Sequence, residues 1–114
     1  MKYISLMIFL LAITLSINAE TIASYDMRVD AQNNLVDISG NGHNSNGLGG
    51  AVTQTSIYGN ALSFDGGDRV VINDAPELRL NAPISIEAKF MVTGTPTDWV
   101  RIVGKGQSGP RNYG

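Results

Sequence analysis

Ile84-Ser85-Ile86-Glu87-Ala88-Lys89-Phe90-Met91-Val92-Thr93 is the stretch that decides the fold class. Ile84, Ile86, Ala88, Phe90 and Val92 alternate with Ser85, Glu87, Lys89 and Thr93. An extended chain puts successive side chains on opposite faces, so this spacing gives one apolar and one polar face; a helix would scatter both sets. Working outward, Leu62 and Phe64 repeat the pattern within Ala61-Leu62-Ser63-Phe64, and Arg69-Val70-Val71-Ile72 is β-branched. Over Ile22 to Arg28, Ala23, Tyr25 and Met27 share one side, and Trp99 to Val103 is a further short strand candidate. Glycine and asparagine crowd between these pieces, above all in Asp37 to Gly50, and again at Gly59-Asn60, Gly66-Gly67-Asp68, Gly94-Thr95-Pro96 and Gly104-Lys105-Gly106. Both residues accept positive φ, so these are turns. Short alternating strands, dense turns and no helical run of ten residues predict an all-β antiparallel sandwich or barrel.

Composition narrows the function classes. The chain has 114 residues, 8 basic and 10 acidic, with no Cys and one His. That is one domain's length. Without Cys there is no disulfide, thiolate zinc site, cysteine nucleophile or lipoprotein anchor. A single histidine excludes sites built from several. A slightly acidic chain lacks the basic face that nucleic acid requires.

Residues 1–19, MKYISLMIFLLAITLSINA, carry Lys2, an apolar run from Ile4 to Ile17, and a small polar end at Ala19. This is the anatomy of a secretory signal peptide, and the run is shorter than the ~20 residues of a spanning helix. Cleavage at Ala19–Glu20 leaves residues 20–114 as a secreted, cell-surface or periplasmic protein with no stable membrane span. Loss of Lys2 leaves 7 basic residues against 10 acidic, a net of −3.

Three groups of residues bear on chemistry. Asp37, Ser39 and Asn41 alternate oxygen-bearing side chains before Gly42, like the first half of a calcium loop; the second half fails, because Leu48 stands where Glu is needed. The residues admit either an Asx-type turn or calcium ligation. Asp65 and Asp68 flank another turn, where Asp68 caps it, pairs with Arg69, or joins Asp37 and Asn41 around a calcium ion. Glycoside hydrolysis needs two carboxylates about 5 to 9 Å apart. Glu87 is alone on its strand, no Glu-x-Asp pair occurs, Glu77 follows Pro76 in a loop, and no Gly-x-Ser-x-Gly elbow is present. His43 reads as a solvated loop histidine. Exposed Trp99, Tyr58 or Tyr113 could stack on a sugar ring. Beside Val100 and Ile102, Trp99 is instead expected in the core.

In order, the motifs are Tyr25-Asp26, then Asp37-x-Ser39-Gly40-Asn41-Gly42-His43, then Gly59-Asn60-Ala61-Leu62-x-Phe64-Asp65-Gly66. Val70-x-Ile72, Ile84-Ser85-Ile86-Glu87-Ala88-x-Phe90 and Ile102-Val103-Gly104-Lys105-Gly106 follow. The set resembles the laminin-G-like jelly-roll domains of the concanavalin A-like lectin/glucanase superfamily, from Ile22 to Gly106. The resemblance implies two curved antiparallel sheets in an extracellular protein that binds carbohydrate or protein, often with one calcium at a loop edge. Phe90 stands where relatives often carry Trp. The family domain is usually longer: after Arg111-Asn112-Tyr113 relatives begin a further strand. Residues 20–114 are therefore expected to be the N-terminal part of an apparently truncated jelly roll, with open inner faces at Phe64, Ile86 and Phe90. The functional expectation is a secreted, non-catalytic, carbohydrate-binding module, with calcium at Asp37, Asn41 and Asp68. The alternatives are an extracellular adhesion or protein-interaction module, or an accessory domain of a larger glycan-active enzyme.

Overall fold

A computed structural model describes residues 19–81 and 83–106. The apolar stretch up to Asn18, expected to be a signal peptide, and Tyr113 with the end of the chain lie outside the described residues.

Asp30 builds the first reversal. Its Oδ1 accepts the N–H groups of Gln32 (2.9 Å) and Asn34 (2.8 Å), and its Oδ2 accepts the Asn34 side-chain amide at 3.0 Å. Those bonds, the Asn34 backbone bond foremost, lower the Asp30 pKa. The turn sets Val29 opposite Leu35 in an antiparallel bridge. Leu35 then passes the pairing on: its N–H donates to Ser45 Oγ at 2.7 Å, and its carbonyl accepts the Ser45 N–H at 2.9 Å. Ser45 in turn bridges Ile72. The bridges 29–35 and 45–72 are thus joined through the Leu35–Ser45 hydrogen bonds.

The longer ladder is a hairpin of β1 (Val52–Ser56) and β2 (Gly59–Ser63), paired antiparallel from Val52↔Ser63 to Ser56↔Gly59. Ile57 and Tyr58 connect them. Neither has positive φ; Gly59 takes it, at 106°, which fits a type I turn closed by a bulge. Among the described residues there is no α-helix, only a 3-10 turn at Pro76–Leu78.

The core is small. Leu35, Leu48 and Ala51 are buried, and Tyr25, Met27, Val29, Leu62 and Val70 pack against them. Tyr25 and Met27 share a side as their spacing predicts, and Leu62 points inward. Leu48, which spoils the calcium-loop pattern, is a core residue. Gly49 explains how the core closes. Its carbonyl accepts the Arg69 N–H at 3.1 Å. A Cβ built on Gly49 would lie 1.7 Å from the Arg69 carbonyl oxygen, and one on Gly50 would lie 2.1 Å from Asp68 Oδ1. Two backbones cross there with no room for a side chain.

The structure is β-type, but several expected strands are unpaired. Ile84–Thr93 joins no ladder among the described residues, and its intended inner face is open, with Phe90 62% exposed. Phe64 lies past the end of β2 and is 53% exposed, so it is not inward. Trp99, expected in the core, is 100% exposed. The reason is common to all three. Alternation specifies which face a strand can bury, but burial needs a second sheet, and none stands opposite these residues in the described structure. Lys105 ties the far end to the body by an ion pair with Asp74, which also holds Arg79.

Candidate functional site

The Gly/Asn loop folds around the chain's first described strand-like segment, and Asp37 organises it. Asp37 is buried, at 7% exposure. Its Oδ1 accepts the N–H groups of Ser24 (3.0 Å) and Ser39 (2.9 Å), and its Oδ2 accepts the His43 N–H at 3.0 Å. Burial pushes its pKa up, but hydrogen bonds from Ser24, Ser39 and His43 act the other way and prevail, lowering it from 3.8 to about 2. Asp37 stays ionised at neutral pH and gathers three backbone donors from a loop that forms no helix or ladder of its own.

Asn41 works beside it. Its Nδ2 donates to the carbonyls of Thr21 (3.0 Å) and Ile22 (2.9 Å), and its backbone N–H donates to Ser39 Oγ at 3.3 Å. Ser24 O accepts the Ile38 N–H at 2.8 Å, and Tyr25 Oη donates to the His43 carbonyl at 2.7 Å. Asp37 and Asn41 therefore fasten the same segment, residues 21–25, from one loop. Asp68 is engaged elsewhere. Its Oδ2 accepts the Asp65 N–H at 3.0 Å, and Asp65 Oδ1 accepts the Gly67 N–H at 3.1 Å. Asp68 caps its turn, and among the described residues it shares no hydrogen-bond partner with Asp37 or Asn41. No group of three or more His, Asp or Glu side chains converges there.

This network frames a recess of ≈ 360 Å³ lined by Glu20, Ile22, Asn41, His43 and Glu77. His43 is 9% exposed, not solvated as its place in a Gly/Asn loop suggests. Its backbone is held on both sides, the N–H by Asp37 and the carbonyl by Tyr25. Its Nε2 is buried without a hydrogen-bond partner among the described residues. Glu77 reaches the recess from the 3-10 turn, where Pro76 starts the turn with its φ already set. The sequence reading missed Glu20, Glu77 and the burial of His43. Glu20 and Glu77 are 57 positions apart, and no local spacing joins them.

A second, more open groove of ≈ 450 Å³ runs between Met27-Arg28-Val29 and the hairpin residues Thr53, Gln54, Thr55 and Asn60. Met27 has φ +63°, unusual for a bulky side chain. Asp26 fixes it by accepting the Arg28 N–H at 3.1 Å and Arg28 Nη2 at 2.8 Å.

No helix among the described residues is long and apolar enough to cross a membrane. In comparisons with family models, curated proteins and solved structures, nothing matches this chain.

Proposed function

We propose that this chain is a secreted, non-catalytic recognition module that binds carbohydrate in the Glu20–Ile22–Asn41–His43–Glu77 recess. In this reading residues 1–19 are a removed leader, and residues 20–114 form the N-terminal part of a laminin-G-like jelly roll. The recess is the observation that carries it. Glu20, Glu77 and Asn41 give it polar walls with two carboxylates, while Ile22 supplies an apolar one. A ligand matching that chemistry is rich in hydroxyl donors and has apolar C–H faces, which describes a sugar.

Calcium belongs to the same proposal through Asp37, Asn41 and Asp68. A carboxylate offers about four lone-pair directions. Asp37 and Asn41 would supply oxygen ligands from one loop, and a cation there would compete for the carboxylate with the N–H groups of Ser24, Ser39 and His43. Recruiting Asp68 requires its turn to approach from the Gly50 side.

A glycan array followed by titration calorimetry tests this, in calcium and in chelator. The expected result is one sugar class bound, about tenfold weaker in Glu77→Gln and unchanged in Trp99→Ala. Weaker binding in chelator supports the calcium element, and equal binding removes it. Binding that follows Trp99 instead of Glu77 overturns the recess. The fully exposed Trp99 favours a second reading, an adhesion module that docks on another protein. An empty array alongside a captured protein partner lost in Trp99→Ala would establish that reading.

A further inference from the structure

The exposed segment from Ile84 to Val92 is self-complementary when read against its own reverse. With Ala88 opposite Ala88 of an antiparallel copy, Ile84 meets Val92 and Ile86 meets Phe90 on one face. On the other face Glu87 meets Lys89 and Ser85 meets Met91, and the two-fold axis makes the charged pair twice. Directly opposed residues in an antiparallel pair lie about 4.5–5.5 Å apart, so each match is a contact. Charge selects the register. A slip by two positions centres the pairing on Glu87 or on Lys89, and sets like charges against each other across the axis. A slip that pairs odd with even positions turns an apolar face against a polar one.

The structure leaves this segment available. Residues 83–93 enter no ladder among the described residues and are all exposed. Lys89 Nζ rests 4.2 Å from the centroid of the Tyr58 ring, an exposed contact that the polar face can give up at small cost. We propose that Ile84–Val92 is an interaction strand whose partner is the same strand of a second copy of this chain, paired antiparallel about Ala88. The contact is isologous, with the same edge of the segment used by both copies, and the assembly proposed is that dimer.

The chain has no cysteine, which permits a direct test. The full-length chain is expressed from Met1, so that its leader is processed naturally, and carries Ala88→Cys. Opposed residues at this spacing lie within disulfide reach, so mild oxidation should link two copies at least tenfold faster than with Ser85→Cys. Sedimentation velocity of the unmodified chain should show a monomer–dimer equilibrium. Lys89→Glu, which opposes two pairs of glutamates, should weaken that equilibrium at least tenfold. The exchanged variant Glu87→Lys/Lys89→Glu should restore it. A chain monomeric at all concentrations, equal cross-linking at positions 85 and 88, a mixture of larger oligomers, or no rescue by the exchange would each overturn the proposal.

Discussion

Replacing Asp37 by Asn isolates the electrostatic share of the loop's stability. The side chain keeps its shape and Oδ1 can still accept from Ser24 and Ser39, but the other atom becomes an amide nitrogen. That donor would face the His43 N–H, which now donates to Oδ2 at 3.0 Å. The magnitude follows from proton linkage. Asp37 has a folded-state pKa of about 2 against an ordinary 3.8. The difference corresponds to about 2.5 kcal/mol in favour of the folded, ionised form. Hydrogen bonds to a charged group contribute ~1.5–3 kcal/mol each, so a loss of this size agrees with removing the charge and orphaning one buried donor. Native-state amide exchange is the assay, because it reads the loop separately from the rest of the chain. In Asp37→Asn the Ser24, Ser39 and His43 amides should exchange ~60-fold faster, with His43 the most affected. The same group sets an acid limit. A depressed pKa gives stability that is fully present above about pH 4 and is lost as pH falls towards about 2. Wild-type loop protection should fade through that window, and the variant should show no such fade. Unchanged exchange in Asp37→Asn at pH 7 would refute the assignment of Asp37 as the centre of the loop.

Gly49→Ala should destabilise the fold more than Gly40→Ala. Both glycines have positive φ, but a Cβ at Gly49 meets the Arg69 carbonyl oxygen whereas one at Gly40 meets nothing within 4 Å. Urea melts should give about 1–2 kcal/mol for Gly40→Ala, from backbone strain alone, and a larger loss for Gly49→Ala. Leu48→Ala should lower stability by about 2–3 kcal/mol, because Leu48 is 5% exposed in a core with few other buried side chains. An exposed turn residue at that position would instead give a change within ~0.5 kcal/mol in the same melt.

Periodicity and turn chemistry are local properties, and they were legible. The inward side of Tyr25 and Met27, the inward Leu62 and the β-type character all follow from spacing two, whereas the turn expected at Gly59-Asn60 falls instead on Ile57-Tyr58, with Gly59 and Asn60 opening β2. The Asx role of Asp37 was legible as one of two roles, because the chain shows oxygen-bearing side chains at short spacing but not which donors they meet. Tertiary structure alone decided that those donors include Ser24, thirteen positions away, and that His43 is buried instead of solvated. It alone put Glu20 and Glu77 on one recess, and it alone left Ile84–Thr93 and Trp99 open. The physical reason is that alternation specifies a face, while burial and hydrogen-bond partnership depend on what arrives opposite that face. That second fact lies in segments distant along the chain, so no local pattern of residues contains it.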